Sequence, residues 1–215
     1  MTLIDLHTHN RTNKKSVVEI VNQYPMEFDA DVRLYSVGIH PWQVCGDMDN
    51  ELKVLESKLL FSGCVAVGEC GLDKKANIPI EQQLPVFEAQ LRLAQQYQKP
   101  VIVHCVAAFQ ELIEVKQRLK IAVPMIVHGF SKKTELAQQL LNGGFYLSFG
   151  KQLLHREDYG KILNQIPDDR FFLETDGHEA GIEEVFRIAA KHKRTTVEQL
   201  AQITSDNTRR VFNIN

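Results

Sequence analysis

Short apolar runs rich in β-branched residues alternate along the chain with longer amphipathic stretches, and this alternation is the feature that most limits the possible folds. It predicts βα units that build a mainly parallel sheet. Eight runs have the pattern of strands: LIDLHTH (3–9), SVVEIVNQY (16–24), RLYSVGIH (33–40), CVAVGEC (64–70), PVIVHC (100–105), PMIVHG (124–129), GFYLSFG (144–150) and RFFLETD (170–176). Eight is the strand number of a closed (β/α)8 barrel. We therefore predict an α/β protein with a TIM-type (β/α)8 barrel, and a doubly wound open sheet is the alternative.

Helical patterns fill the later gaps between these strands. They cover 50–61, 80–98, 107–119, 132–142, 157–165, 180–193 and a pair near 196–212. Ser205 and Asp206 are candidate caps for the last helix. Only about ten residues separate the first predicted strand from the second, and the second from the third, too few for a crossover helix. The first one or two outer helices of the barrel are therefore expected to be missing or shortened.

Composition indicates one globular domain. The 215 residues are 44% hydrophobic and 24% charged, and no linker or low-complexity tract divides them, so we expect a single domain over 1–215. No apolar run approaches the ~20 residues of a membrane helix, and the N-terminus lacks a signal-peptide pattern. We expect a cytoplasmic protein with no membrane partner. The four cysteines show no C-x-x-C spacing and are expected to be reduced thiols. A net charge of −2 argues against coating nucleic acid through bulk basicity.

Metal-ligating side chains stand at the C-terminal ends of five predicted strands. They are His7, His9, Glu69, His104, His128 and Asp176. The active sites of (β/α)8 barrels lie at this end of the strands, and imidazoles and carboxylates bind divalent transition metals. Any one of these residues alone could be a structural histidine or a helix cap. Together they exceed the needs of one ion and suit two ions about 3.5–4 Å apart with a bridging carboxylate.

A resemblance to a known family rests on seven motifs in order: IDLHTHN, VGIHPW, VGECGLD, PVIVHC, IVHGF, YLSFG and FLETD. On these motifs most of the chain resembles the TatD family of metal-dependent hydrolases, a branch of the amidohydrolase-type barrels. The resemblance implies a two-metal phosphoesterase, usually a deoxyribonuclease acting from the 3′ end or on short DNA.

The resemblance also implies a role for each matching residue. The two ions would be held by His7, His9 and Asp176 for the first, by His104 and His128 for the second, and by Glu69 as the bridge. Glu69 and Asp176 would be the catalytic carboxylates, with Asp176 as the general base for water. The cofactor would be two divalent ions per chain, and the ligand types fit Zn, Mn, Mg, Fe or Ni alike.

Candidate substrate contacts are a histidine and several lysines. His40 of GIHP matches a histidine near the family's pocket, where it could contact phosphate or make a structural hydrogen bond. Lysines follow several strand ends and could form a basic collar for an anionic substrate: Lys14, Lys15, Lys74, Lys75, Lys132, Lys133 and Lys151. Among them, Lys74 and Lys132 are the candidate substrate contacts.

Departures from the family pattern keep other functions open. Val106 stands where the family usually has an arginine, and the dipeptide after LETD is GH rather than a small residue and proline. The segment between HTHN and GIHP is also shorter than the family leads us to expect. The leading hypothesis is a deoxyribonuclease on short or single-stranded DNA, with DNA or another phosphodiester as partner and no obligate protein partner. The alternatives are hydrolysis of a small phosphate ester, amide or lactone at the same metals, and a non-catalytic metal-binding barrel.

Overall fold

Eight strands are present in the computed structural model, which describes residues 1–214. They are β1 (Leu3–Thr8), β2 (Val17–Gln23), β3 (Tyr35–Val37), β4 (Cys64–Asp73), β5 (Val101–Val106), β6 (Met125–Val127), β7 (Phe145–Phe149) and β8 (Phe171–Leu173). One sheet contains them in the order β1 to β8, and the pairs β1–β2, β3–β4, β4–β5 and β7–β8 are parallel. The last strand also contacts the first. The TIM-type (β/α)8 fold predicted from the sequence is therefore confirmed.

Within residues 1–214, eight helices accompany the strands. They are α1 (Met48–Leu59), α2 (Ile80–Gln96), α3 (Phe109–Arg118), α4 (Thr134–Asn142), α5 (Lys151–His155), α6 (Glu157–Gln165), α7 (Gly181–Lys193) and α8 (Val197–Phe212). Within the described residues, no helix connects β1 to β2 or β2 to β3, which confirms the predicted loss of outer helices. Short 3-10 turns at Pro41–Gln43 and Asp168–Arg170, and the five-residue α5, were not predicted.

The C-terminal region differs from the prediction of two helices with a cap at Ser205 or Asp206. Residues 197–212 form the single helix α8, so both residues lie inside it and the predicted caps are wrong. The helix instead begins after Thr196. The Thr196 hydroxyl accepts the Gln199 amide N–H, and the Gln199 side chain accepts the Thr196 N–H. This capping box satisfies two N–H groups that a helix start otherwise leaves without acceptors.

The chain divides into two compact units, Met1–Val21 with Val127–Asn215, and Asn22–Ile126. In the first unit, α7 and α8 pack on β1 and β8, and α4 packs on β7. In the second unit, α1 and α2 pack on β4, and α3 packs on β5. The single domain over 1–215 stays a prediction.

Helix α2 is held against the second unit by its buried apolar face. Val86, Phe87 and Leu91 are buried at helical spacing, and each such side chain contributes about 1.5–3 kcal/mol relative to exposure. Two glutamines on the same helix, Gln83 and Gln90, are also buried. Their side chains bond the backbone where two strands end, as described below. The helix therefore both closes the core and fixes the segments that carry site residues.

Two further sequence expectations concern membrane segments and cysteines. Among residues 1–214, no helix is both long enough and apolar enough to span a bilayer. All four cysteines are free thiols, as predicted: Cys45 is exposed, whereas Cys64, Cys70 and Cys105 are buried. Burial raises the pKa of the Cys64 thiol to about 11, which keeps it protonated near neutral pH.

Strands β4 and β5 approach each other closely at Gly71, and a substitution there tests how much this approach matters for stability. A methyl group at this position would lie 1.9 Å from the carbonyl oxygen of His104. Because this contact is with backbone, Gly71→Ala is expected to lower the free energy of unfolding by about 3 kcal/mol or more, measured by urea titration.

The matched control is Gly46→Asn. Gly46 has φ +72°, and a side-chain β-carbon at this position would meet open space, with nothing beyond its chain neighbours within 4 Å. Asparagine tolerates this backbone conformation, so the control is expected to stay within about 1 kcal/mol of the parent. Equal urea midpoints for the two variants would show that β4 and β5 can separate at Gly71 at little cost.

Candidate metal centre

The first unit brings together histidines from two regions and one carboxylate. Ligand atoms of His7, His128 and Asp176 all lie within 4.8 Å of one another. Oδ1 of Asp176 is 3.5 Å from Nε2 of His7 and 3.6 Å from Nε2 of His9. The His7 and His128 rings are 4.5 Å apart between centroids. Four of the six predicted ligands therefore converge in this unit.

Asp5 holds the segment after β8 against β1. The Thr175 hydroxyl donates to Oδ2 of Asp5 over 2.6 Å, and the Thr175 amide donates to Oδ1 over 2.9 Å. Burial raises the pKa of the Asp5 carboxyl to about 7, although both bonds from Thr175 oppose the rise. Sequence analysis missed this residue. The signal was an acidic side chain inside the apolar run LIDL, since such a group is costly to bury unless it is hydrogen-bonded.

Asp176 follows Thr175 with its backbone in the left-handed region, at φ +54°. Its amide donates to the His7 carbonyl over 3.0 Å. Both the backbone and the side chain of Asp176 therefore contact His7 of β1. Burial acts to raise the pKa of the Asp176 carboxyl. Hydrogen bonds from His7 and His9 and the charge of His128 outweigh burial and hold that pKa well below its usual range. The carboxylate is ionised, the form in which it can bind a cation or accept a proton.

Glu174 is a buried carboxylate behind His128. Its Oε1 accepts the Gly129 amide over 2.6 Å and lies 3.5 Å from Nδ1 of His128. Within residues 1–214, its Oε2 has no hydrogen-bond partner although the side chain is fully buried. A carboxylate behind an imidazole orients a metal-ligating histidine, and an unsatisfied buried oxygen favours a nearby cation. This group therefore fits a divalent ion.

The second unit assembles another group around Glu69, at the centre of β4. Ligand atoms of His40, Glu69 and His104 lie within 4.8 Å of one another. Oε1 of Glu69 is 2.9 Å from Nδ1 of His104 and 3.3 Å from Nε2 of His40. The Glu69 amide donates to the side chain of Asn22, which fixes the backbone beneath the carboxylate. Glu69 and His40 are buried and His104 is mostly buried.

The hydrogen bond from Trp42 indicates which nitrogen of His40 faces Glu69 as a donor. Its Nδ1 accepts the Trp42 amide over 3.2 Å, so the proton of the neutral ring is assigned to Nε2. That nitrogen faces Glu69 and can donate to it. Gln90 of α2 bonds both the amide and the carbonyl of Ile39 and so holds the segment before His40. The predicted contact between His40 and substrate stays a prediction.

Asp73 is the carboxylate behind His104. Its Oδ2 lies 3.4 Å from Nε2 of His104 and accepts the indole N–H of Trp42 over 2.7 Å. Burial raises the pKa of Asp73, but bonds from Trp42, from the Lys75 amide and from His104 lower it below its usual value. Sequence analysis missed this residue, although it is the last residue of the motif VGECGLD and of the buried strand β4. His104 thus lies between two carboxylates, as His128 lies beside Glu174.

The predicted residues divide between the two units. The first unit contains His7, His9, His128 and Asp176, and the second contains Glu69 and His104. One two-metal centre bridged by Glu69 stays a prediction. Two lysines of the predicted collar are in ion pairs, Lys74 with Glu111 and Lys14 with Glu183. Contacts of Lys74 and Lys132 with substrate also stay predictions.

Sequence comparison gives both a family and its relatives. The profile of the family described as TatD related DNase matches residues 2–213. The metal-dependent hydrolase YcfH of Escherichia coli is 31% identical over 205 residues, covering 86% of this chain and 76% of the relative. The metal-dependent hydrolase YabD of Bacillus subtilis is 27% identical, covering 92% of this chain and 82% of the relative. The 3′-5′ ssDNA/RNA exonuclease TatD of Edwardsiella piscicida is 27% identical, covering 95% and 85%.

Solved structures give the same fold. The crystal structure of a TatD homologue from Escherichia coli superposes with a TM-score of 0.86 at 24% identity, covering 99% of this chain and 98% of the other. A TatD-family hydrolase from Entamoeba histolytica superposes with a TM-score of 0.80 at 17% identity, covering 98% of each chain. The family profile spans nearly the whole chain, and histidines and carboxylates cluster at the strand ends. The chain belongs to the TatD-related DNase family of metal-dependent hydrolases.

Proposed function

We propose that this chain is a divalent-metal-dependent phosphodiesterase that hydrolyses short or single-stranded DNA. The observation that carries the proposal is the pair of histidine–carboxylate groups, each with a second carboxylate behind one of its histidines. The related exonuclease of Edwardsiella piscicida, whose substrates are named as single-stranded DNA and RNA, supports the choice of substrate.

Each unit would hold metal through its own residues. His7, His9, His128 and Asp176 would do so in the first unit, and Glu69 and His104 in the second. Divalent ions in such a site supply Lewis acidity toward phosphoryl oxygens and lower the pKa of water. Asp73 and Glu174 would keep His104 and His128 in the orientation that ligation needs.

Asp176 is the proposed proton acceptor. Its carboxylate is ionised and its side chain is 40% exposed, so water can reach it. The bonds from Thr175 to Asp5 and from the Asp176 amide to His7 hold the carboxylate in place. A base that is already oriented lowers the entropy that must be lost to reach the transition state. Asp176 would therefore take a proton from the water that attacks phosphorus.

A second candidate function keeps the metal residues and changes the substrate to a small phosphate ester, amide or lactone. The observation that favours it is Val106 at the end of β5, where the family resemblance leads us to expect an arginine. A guanidinium can bind a phosphate through two parallel hydrogen bonds, and valine offers none. Activity on acyl substrates without release of nucleotides from DNA would favour this candidate.

Metal content tests the ligand assignment directly. Protein purified without chelator is expected to contain about two divalent ions per chain, measured by elemental analysis. Glu69→Ala and His128→Ala are each expected to lower that number, because each removes a ligand atom from a group whose atoms lie within 4.8 Å. The control is His155→Ala, since His155 is exposed at the end of α5 and belongs to neither group. Unchanged metal content in both test variants would contradict the assignment.

Activity tests the role of Asp176. Asp176→Asn is expected to lower kcat on end-labelled single-stranded DNA by roughly 100- to 10,000-fold, the range for a lost general base. Folding, followed by circular dichroism, should be retained because the amide keeps the shape of the carboxylate. EDTA should abolish activity of the parent protein.

Asp49→Asn is the matched control for that experiment, because Asp49 lies in the first turn of α1, on an element that contributes no ligand to either group. It should hydrolyse DNA at the rate of the parent. Hydrolysis by Asp176→Asn near the control rate would rule out Asp176 as the base.

A further inference from the structure

Trp42 is the one tryptophan in the sequence, and its side chain remains 64% exposed. It lies in the 3-10 turn Pro41–Gln43 that follows β3, two residues after His40. Exposure of this degree leaves a large apolar plane in contact with water, which is unfavourable for an indole. The ring is nevertheless held in place by polar and aromatic contacts with its neighbours.

Several contacts fix the indole in place. Its Nε1 donates to Oδ2 of Asp73 over 2.7 Å, and its ring meets His40 edge-on at 4.8 Å between centroids. The His104 ring lies 6.0 Å away in a similar arrangement. The Trp42 amide bonds Nδ1 of His40, so the backbone is fixed as well. The plane is therefore ordered beside the group formed by His40, Glu69 and His104.

Asp73, which accepts the indole N–H, is itself fixed by its neighbours. Oε1 of Gln83 accepts the Asp73 amide over 2.7 Å, and Nε2 of Gln83 donates to the Asp73 carbonyl over 2.8 Å. The Lys75 amide donates to Oδ1 of Asp73 over 2.7 Å. Gln83 is buried in α2, so the support for Trp42 extends into the core. A binding surface ordered in advance loses little conformational entropy when its ligand arrives.

The surroundings of Trp42 select the kind of ligand. The Asp73 carboxylate places negative charge next to the indole, which disfavours a bare phosphate against the ring. The exposed face suits a flat, uncharged ring attached to a phosphate that lies nearer the metal-ligating side chains. An unpaired nucleobase has this form, and bases of single strands stack on aromatic side chains.

We propose that Trp42 stacks on an unpaired base of the DNA and so determines specificity for single-stranded over paired substrate. A base inside a duplex already stacks on both sides and has no free face for the indole. The inference rests on the proposed function, because it assumes a nucleic-acid substrate. Trp42 acts here in substrate recognition and takes no part in proton transfer.

Intrinsic fluorescence tests the stacking directly, because Trp42 is the sole tryptophan. The metal-loaded protein is titrated with a short phosphorothioate oligothymidylate, which resists hydrolysis. Stacking should quench the emission with saturation. The same phosphorothioate backbone with abasic sugars should leave the emission unchanged. Saturable binding of the base-bearing oligonucleotide, seen by anisotropy of an end label, without any change in tryptophan emission would overturn the proposal.

Kinetics on three variants give an independent readout. Trp42→Ala should raise KM for single-stranded DNA by roughly 5- to 100-fold, the range for one lost base stack, and this change should exceed any fall in kcat caused by loss of the indole bond to Asp73. Trp42→Phe should recover part of the loss because it keeps an aromatic plane. Leu60→Ala is the matched control, since Leu60 is 68% exposed and lies at the end of α1 before β4. Its KM should equal that of the parent.

An abasic oligonucleotide separates recognition from structural damage. If Trp42 only positioned Asp73 and His104, Trp42→Ala would lower kcat on abasic and base-bearing strands alike, and the proposal would be wrong. A much smaller loss of kcat/KM on the abasic strand than on the base-bearing strand supports stacking. Failure of the parent to hydrolyse any DNA would contradict the proposed function, and the fluorescence titration would still decide whether the indole stacks on bases.

Discussion

The buried carboxylate of Asp5 is the interaction on which the first unit depends. It lies in the middle of β1 and accepts both the amide and the hydroxyl of Thr175, which follows β8. These bonds offset the cost of burying an acidic group and join the first strand of the chain to its last. Because His7 lies two residues after Asp5 and Asp176 one residue after Thr175, the same bonds set the distance between imidazole and carboxylate. Fold closure and site geometry therefore share one cause.

In the second unit, hydrogen bonds from helix α2 hold the segments that carry the site residues. Gln83 and Gln90 of α2 lie on its buried face, beside the apolar residues that pack on β4. Their amide groups satisfy the backbone where β3 and β4 end, at Ile39 and Asp73. These segments carry His40, Trp42 and Asp73. The buried side-chain amides of the two glutamines bond backbone N–H and C=O groups of Ile39 and Asp73, and the segments are held in place as a result.

Both histidine–carboxylate groups follow the same physical logic. His104 lies beside Asp73 and His128 lies beside Glu174, so each imidazole has a carboxylate to orient one ring nitrogen. Burying a carboxylate destabilises a protein unless hydrogen bonds or a neighbouring positive charge compensate for the lost water. The histidines supply part of that compensation, and divalent ions would supply more. The buried carboxylates therefore lower the stability of the protein at the positions where a bound metal ion would restore it.

The sequence by itself determined the strands, most helices and the residue types at the strand ends. Apolar runs alternating with amphipathic stretches specify strands and helices locally, and short gaps exclude the first outer helices. The order of the motifs was enough to indicate the family. Other features depended on tertiary structure: the tautomer of His40, the carboxylates of Asp73 and Glu174 behind two histidines, the ion pair of Lys74 with Glu111, and the fixed indole of Trp42. One physical reason explains why the sequence did not reveal these features. Each depends on which side-chain atoms come within hydrogen-bond distance of one another. Packing of the whole fold sets those distances, and the local sequence pattern does not.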